Sequence, residues 1–431
     1  MTRLAVVGCW HQASVVSACL AELGNDVTGI GEDTAAIAGL QTAKAPVYEP
    51  GLDDMIARNV AAGRLRYTTD YAAGLRGAEI AFICIDTPVD EQDESDLSGI
   101  ERAAEAVALA ASGPLTLSIS AQVPVGTTHR LGELVRRRRP ELAIPVAYVP
   151  EFLRLGSAIE TFMQADRFVV GADDRDVAER VAKLYEPLGR PIHLTDVRSA
   201  EMAKHASNAF LATSISFINQ IADLCEQVGA DATEVGTIMK LDRRIGEHAF
   251  VSPGLGYAGG TLGRELRALD HIGEAYGVET DLLAAVEAVN ARRVPRLVDL
   301  VARRVGGLEG ARIALLGLTY KAGTSTLRRS AALHIAELLR VRGARIVAFD
   351  PLARLHEAPE ALPFEVCDEV QGVANGASAL VLVTPWAGIA ATDWASCARA
   401  MEKPIFIDSG NYLPSDELRS AGFDYIGVGR G

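Results

Sequence analysis

The sequence predicts an α/β protein with two parallel-sheet domains joined by a long-helix central region. Three observations carry this expectation. Apolar runs of strand length recur between helical patterns in the first half, an alanine-rich stretch without proline occupies the middle, and strand–helix alternation resumes near residue 312. At 431 residues the chain has room for about three domains.

In the first block Leu4–Val7 reads as an apolar strand, Ser14–Leu23 has helical spacing, and Asp26–Ile30 is a second strand. Glu79–Ile85, Leu115–Ile119, Val146–Val149 and Phe168–Val170 continue the series, with helical patterns between most of them. Short apolar runs separated by helices favour a parallel sheet with crossovers. Character changes near Asp196: Ser199 to Gly229 is helix-forming without proline, and a second stretch, Thr280 to Arg303, carries only Pro295. A second α/β block opens with the strand Arg312–Leu316, then the helix Ala331–Arg342 and the strands Arg345–Phe349, Ser378–Val383 and Pro404–Ile407. The expected domains are 1–196, 197–303 and 304–431.

Composition narrows the partners. With 42 basic against 56 acidic side chains the net charge is −14, and there is no basic tract, so nucleic acid and anionic membrane surfaces are poor partners. No apolar run approaches the ~18 residues a membrane span needs. The six cysteines lack CxxC spacing and read as reduced thiols of a cytoplasmic protein; no metal site is expected.

Several long motifs in order resemble the UDP-glucose/GDP-mannose dehydrogenase family over nearly the whole chain, closest to UDP-glucose 6-dehydrogenase. They are Tyr48-Glu49-Pro50-Gly51-Leu52, Pro150-Glu151-Phe152-Leu153-Arg154, the run from Ala200 to Phe210, Leu241-Asp242-Arg243-Arg244-Ile245-Gly246 and Gly317-Leu318-Thr319-Tyr320-Lys321. The resemblance implies a Rossmann-type NAD domain, a helical dimerisation region and a Rossmann-like nucleotide-sugar domain. It also implies a homodimer that oxidises the primary alcohol of a nucleotide sugar such as a UDP-hexose, through a cysteine-bound intermediate.

Position by position, the resembled cofactor motif is altered. A dinucleotide loop needs glycines for a tight turn and for close approach of the pyrophosphate. Here Gly8 keeps the first, Trp10 replaces the second, and His11 follows at the helix start. Asp86-Thr87-Pro88 and Gln122 also depart from the resembled pattern, and the acid expected after the second strand falls on Gly31. These changes predict a disabled NAD site and no cofactor, with Gly8, Trp10, His11, Thr87 and Gln122 as its degenerate remnants.

At the reaction site the resembled cysteine is Thr261, with Glu265 four residues on, and a second expected glutamate is Leu155. A hydroxyl is a far weaker nucleophile than a thiolate. Lys204 and Asn208, four apart on one helix face, survive as a cation and an amide suited to an oxyanion. Only six lysines accompany 36 arginines, and two of them, Lys204 and Lys321, fall on positions of the resembled motifs. Catalytic candidates are therefore Lys204, Asn208, Glu151, Thr261 and Glu265. Substrate-binding candidates by resemblance are Phe152, Leu153, Arg244, Phe250, Gly254, Gly256, Tyr257, Lys321 and Arg328. The pattern predicts a nucleotide-sugar enzyme that has lost the four-electron oxidation and transfers or eliminates the diphosphate. An inactive scaffold homologue and a two-electron NAD(P)-dependent oxidoreductase are the alternatives.

Overall fold

The computed structural model describes residues 1–88, 95–353 and 362–430, which divide into two compact units, Met1–Ala206 and Ser207–Gly431. In the first, eight strands form one sheet: β1 (Arg3–Val7), β2 (Asp26–Ile30), β3 (Leu65–Thr68), β4 (Ile80–Ile83), β5 (Thr116–Ile119), β6 (Val146–Tyr148), β7 (Phe168–Gly171) and β8 (Ile192–Thr195). Their order is β3-β2-β1-β4-β5-β6-β7-β8, parallel except where β7 meets β6. The first six follow the dinucleotide-binding order, with the direction of winding reversing between β1 and β4.

The sheet is buried on both faces. Along β1, Leu4 and Val6 enter one apolar cluster while Ala5 and Val7 enter the other, so the strand is hydrophobic after its exposed first residue, Arg3.

The second unit repeats the plan with β9 (Arg312–Leu316), β10 (Arg345–Phe349), β11 (Glu365–Cys367), β12 (Ala379–Leu382), β13 (Ile405–Asp408) and β14 (Asp424–Gly427), all parallel. Their order, β11-β10-β9-β12-β13-β14, is the same winding. Ile313 and Leu315 face one cluster, Ala314 and Leu316 the other.

The alanine-rich stretch forms one helix, Val197–Val228, within which the boundary between the units falls. Asp196 caps it by accepting the Ser199 amide at 2.9 Å, and Gly229, at φ +74°, ends it in the left-handed conformation. The second predicted stretch is broken into Asp281–Ala291 and Arg293–Val305. Pro295 has no amide proton for the Ala291 carbonyl, so one continuous helix cannot form there.

Both sheets turn at a glycine directly after their first central strand. At Gly8 (φ +132°) an added Cβ would lie 2.4 Å from the Cys84 carbonyl oxygen, and at Gly317 (φ +90°) 2.4 Å from Thr384. Gly317→Ala is expected to cost about 2 kcal/mol or more, since strain and a steric clash add. Urea denaturation of the variant beside the wild type measures it.

Candidate functional site

In the first unit the chain leaves β1, turns at Gly8 and enters the helix His11–Glu22 at the carboxyl end of the sheet. Trp10 is the N-cap at φ −92°, ψ −168°, a conformation open to any residue, and it gives the first-turn amides no side-chain acceptor. The residue is 52% exposed, so its indole is not packed into the core beneath the turn. Asp86 is also exposed. Trp10 and Asp86, the two residues expected to block the coenzyme, are thus both at the surface and not packed into the sheet. The glycine turn, the helix start with no side-chain cap and the reversal of strand order fit a dinucleotide pyrophosphate.

The neighbouring candidates are tied in. Thr87 Oγ1 donates to the Gln122 carbonyl at 2.8 Å, and Gln12 donates to the Ser120 carbonyl. His11 Nε2 lies 2.8 Å from Glu49 Oε2, which also accepts the Gly156 amide at 2.8 Å, while Oε1 accepts the Ala158 amide at 2.7 Å. Burial pushes the Glu49 carboxyl upward, but the His11 ring and the two amides outweigh it and hold the group below the usual carboxylate range.

On the helix Val197–Val228 four polar side chains share one buried face: Glu201, Lys204, His205 and Asn208. Glu201 accepts the Gly126 amide at 2.5 Å and the Thr128 amide at 2.9 Å, and so serves the start of the helix Thr127–Arg138. His205 donates to the Val123 carbonyl at 2.9 Å. Lys204, only 5% exposed, donates to the Glu151 carbonyl. Its Nζ lies 3.9 Å from Glu151 Oε2 and 5.0 Å from the centre of the Phe152 ring. The Glu151 carboxylate in turn accepts the Leu153 amide.

In the second unit Asn208 Nδ2 donates to Glu265 Oε1 at 3.3 Å. Glu265 is fully buried in the first turn of the helix Leu262–Tyr276, whose N-cap is the exposed Thr261. The loop before it is pinned at several points. Gly254 donates to Asn219 Oδ1 at 2.8 Å, and Arg293 Nε donates to the Gly254 carbonyl at 3.2 Å. Asn290 pairs with both backbone groups of Tyr257, at 2.9 and 3.0 Å, and occupies the space a side chain on Gly256 would need. The Gly259 amide donates to the Arg329 carbonyl at 3.1 Å. Burial, followed by the nearby Glu287 carboxylate, pushes the Tyr257 phenol up to about 12.

Lys321 and Arg328 are exposed on the segment that follows β9. Arg244 is held by both oxygens of Asp242 with its side chain 89% exposed, and Phe250 is likewise exposed. Neither thiol of the cofactor turn is a poised nucleophile: burial pushes both Cys9 and Cys84 up.

Glu49, Glu201, Asn219, Asn290 and Arg293 were not foreseen as site residues. Asn219 follows Asn208 by 11 residues, three helical turns, so continuing the polar face of that helix would have found it.

Sequence profiles of the UDP-glucose/GDP-mannose dehydrogenase family match the chain in three places: the NAD binding domain at residues 2–189, the central domain at 198–292 and the UDP binding domain at 314–415. The chain belongs to this family. UDP-glucose 6-dehydrogenase YwqF of Bacillus subtilis is 37% identical over 99% of this chain and 98% of its own length. UDP-glucose 6-dehydrogenase of Pseudomonas aeruginosa is 36% identical over 99% and 97%. The UDP-glucose dehydrogenase structure from Pyrobaculum islandicum superposes with a TM-score of 0.92 at 30% identity, covering 100% of this chain and 98% of that one.

These relatives overturn two expectations from the sequence. Loss of the oxidation with a turn to non-redox diphosphate chemistry is not sustained, because relatives spanning 99% of the chain are UDP-glucose 6-dehydrogenases. The absence of a cofactor is not sustained either, because the NAD binding domain is matched across the segment with the Gly8 turn. A degenerate site is withdrawn with them. No described helix is long and apolar enough to cross a membrane.

Removing the Glu201 carboxylate as Glu201→Gln leaves one of two buried amides facing an NH2 group. Stability is expected to fall by about 1–3 kcal/mol, read from the midpoint of chemical denaturation.

Proposed function

We propose that the protein is an NAD-dependent dehydrogenase that oxidises the primary alcohol of a UDP-hexose. The observation that carries this reading is the buried polar face of the helix Val197–Val228. An ammonium is kept from water there at a cost that only a paired or functional charge offsets. We assign residues 1–196 to the coenzyme, 197–303 to dimerisation and 304–431 to the nucleotide. In keeping with a reducing cytoplasm, all six cysteines are free thiols.

The Gly8 turn and the first amides of the helix His11–Glu22 would hold the pyrophosphate of NAD, with Thr87 and Gln122 beside them. Bound there, the coenzyme supplies a hydride acceptor for the carbinol carbon. Lys204 offers a fixed cation to the alcohol oxygen as it loses its proton, and Asn208, oriented by Glu265, offers an amide donor. Glu151, whose carbonyl fixes Lys204, supplies a carboxylate to receive that proton. Phe152 and Leu153 contribute the wall beside Lys204. Gly254, Gly256 and Tyr257 form the pinned loop, and Lys321 and Arg328 supply cations for the diphosphate. Arg244 and Phe250, at the surface, are assigned to the same nucleotide sugar.

Thr261 takes the nucleophile position of the family signature. Its hydroxyl at the start of the helix Leu262–Tyr276 makes acyl transfer the slow step. The reading also includes a homodimer. Phe210, Phe217 and Leu224 recur every seven residues as an exposed apolar row on the helix Val197–Val228, a face suited to a second copy.

Mixing the protein with NAD and UDP-glucose, and with other UDP-hexoses in parallel, should produce the reduced-nicotinamide absorbance band and a sugar acid by mass spectrometry. No reduction with any UDP-hexose ends the reading. Lys204→Ala is expected to lower kcat by roughly 10²–10³, the usual loss for an oxyanion-stabilising donor. Thr261→Cys is expected to speed formation of the acid by at least about tenfold, seen in the time course of acid released per NADH.

A further inference from the structure

Glu49 is a buried side chain of the first unit with three hydrogen-bond partners, and the reaction assigns it no task. Its carboxylate has no exposed surface. Oε2 receives both the His11 ring and the Gly156 amide, and Oε1 receives the Ala158 amide. One partner stands at the first residue of the helix His11–Glu22, where the coenzyme's pyrophosphate would sit. The other two belong to the segment that begins at Glu151, Phe152 and Leu153 and ends in the helix Ala158–Met163. The carboxylate is therefore a joint between the cofactor turn and the loop that fixes Lys204.

The chemistry explains why the joint is an acid. Two of its three partners are backbone amides, which can only donate, and they take different oxygens. A carboxamide would set its NH2 against one of them whichever way it turned. The histidine ring is the adjustable partner, and its outer edge keeps some exposure beside the helix start.

We propose that His11 and Glu49 are positioning residues that link the two ligands. An anion drawn to the helix start fixes the His11 ring, and through Glu49 this fixes the 150–158 segment in the conformation that receives the sugar. The proposal rests on the coenzyme reading above. Linkage requires the effect to be reciprocal: NAD tightens the nucleotide sugar by the factor by which the sugar tightens NAD.

The test is a binding experiment, with no turnover needed. NAD affinity is read from quenching of tryptophan fluorescence, to which the half-exposed Trp10 contributes, and UDP-glucose affinity from calorimetry with and without NADH. In the wild type the reduced coenzyme is expected to tighten UDP-glucose at least fivefold. His11→Leu, which removes the donor to Glu49, should bring that factor close to one, and His11→Gln, whose amide nitrogen can replace Nε2, should retain most of it. Amide exchange at 150–158 should slow on NADH addition in the wild type and in His11→Gln, and stay unchanged in His11→Leu. A purely structural role would lower stability in His11→Leu and leave the coupling factor intact, which overturns the proposal. So does a wild-type factor of one in a protein that binds the coenzyme. Failure of the wild type to bind either NAD or NADH would end the coenzyme reading itself, and this inference with it.

Discussion

An ammonium group kept out of water needs fixed partners in every direction, and the arrangement around Lys204 follows from that requirement. The Glu151 carbonyl, the Glu151 carboxylate and the face of Phe152 surround its Nζ, and all three come from one short segment after β6. That segment is anchored from behind, by Glu49 through the amides of Gly156 and Ala158. The helix that carries the lysine is anchored too, because Glu201 and His205 each bond a backbone group near the start of the helix Thr127–Arg138. A long flexible side chain thereby becomes a fixed charge, the property that electrostatic stabilisation of an oxyanion needs.

The two sheets share a winding order and a glycine turn, yet their turns differ in chemistry. In the second unit Asp350, directly after β10, accepts the Leu318 and Thr319 amides at 2.7 and 2.9 Å and the Trp386 indole at 3.1 Å. Those amides already have an anion of their own. The corresponding position after β2 is Gly31, which has no side chain to offer; a Cβ there would press on Cys9. One fold thus has a turn whose amides are bound by a carboxylate of its own in the second unit, and no side chain at the corresponding position in the first.

Legibility in the sequence followed burial. Most interior strands appear as apolar runs, because an interior strand of a parallel sheet is covered on both faces. The strands that composition did not reveal are β3, β8, β11 and β14, the edges of the two sheets. Leu65–Thr68 has one outward arginine, Ile192–Thr195 is only half-buried, and Glu365–Cys367 has three residues. Without a neighbour on one side, an edge strand needs no continuous apolar run.

The sequence by itself determined the α/β class, the central helix, the family and the candidates Lys204, Asn208, Glu151 and Glu265, since these rest on periodicity and contiguous motifs. Only the tertiary structure decided how much of Trp10 is covered. A residue letter gives the size of a side chain and not its surroundings, and here the indole is half exposed at a helix start that has no side-chain cap. The same holds for Glu49 and Asn290, whose partners lie many residues away in the chain. Hydrogen bonds closed by long-range folding leave no local pattern to read.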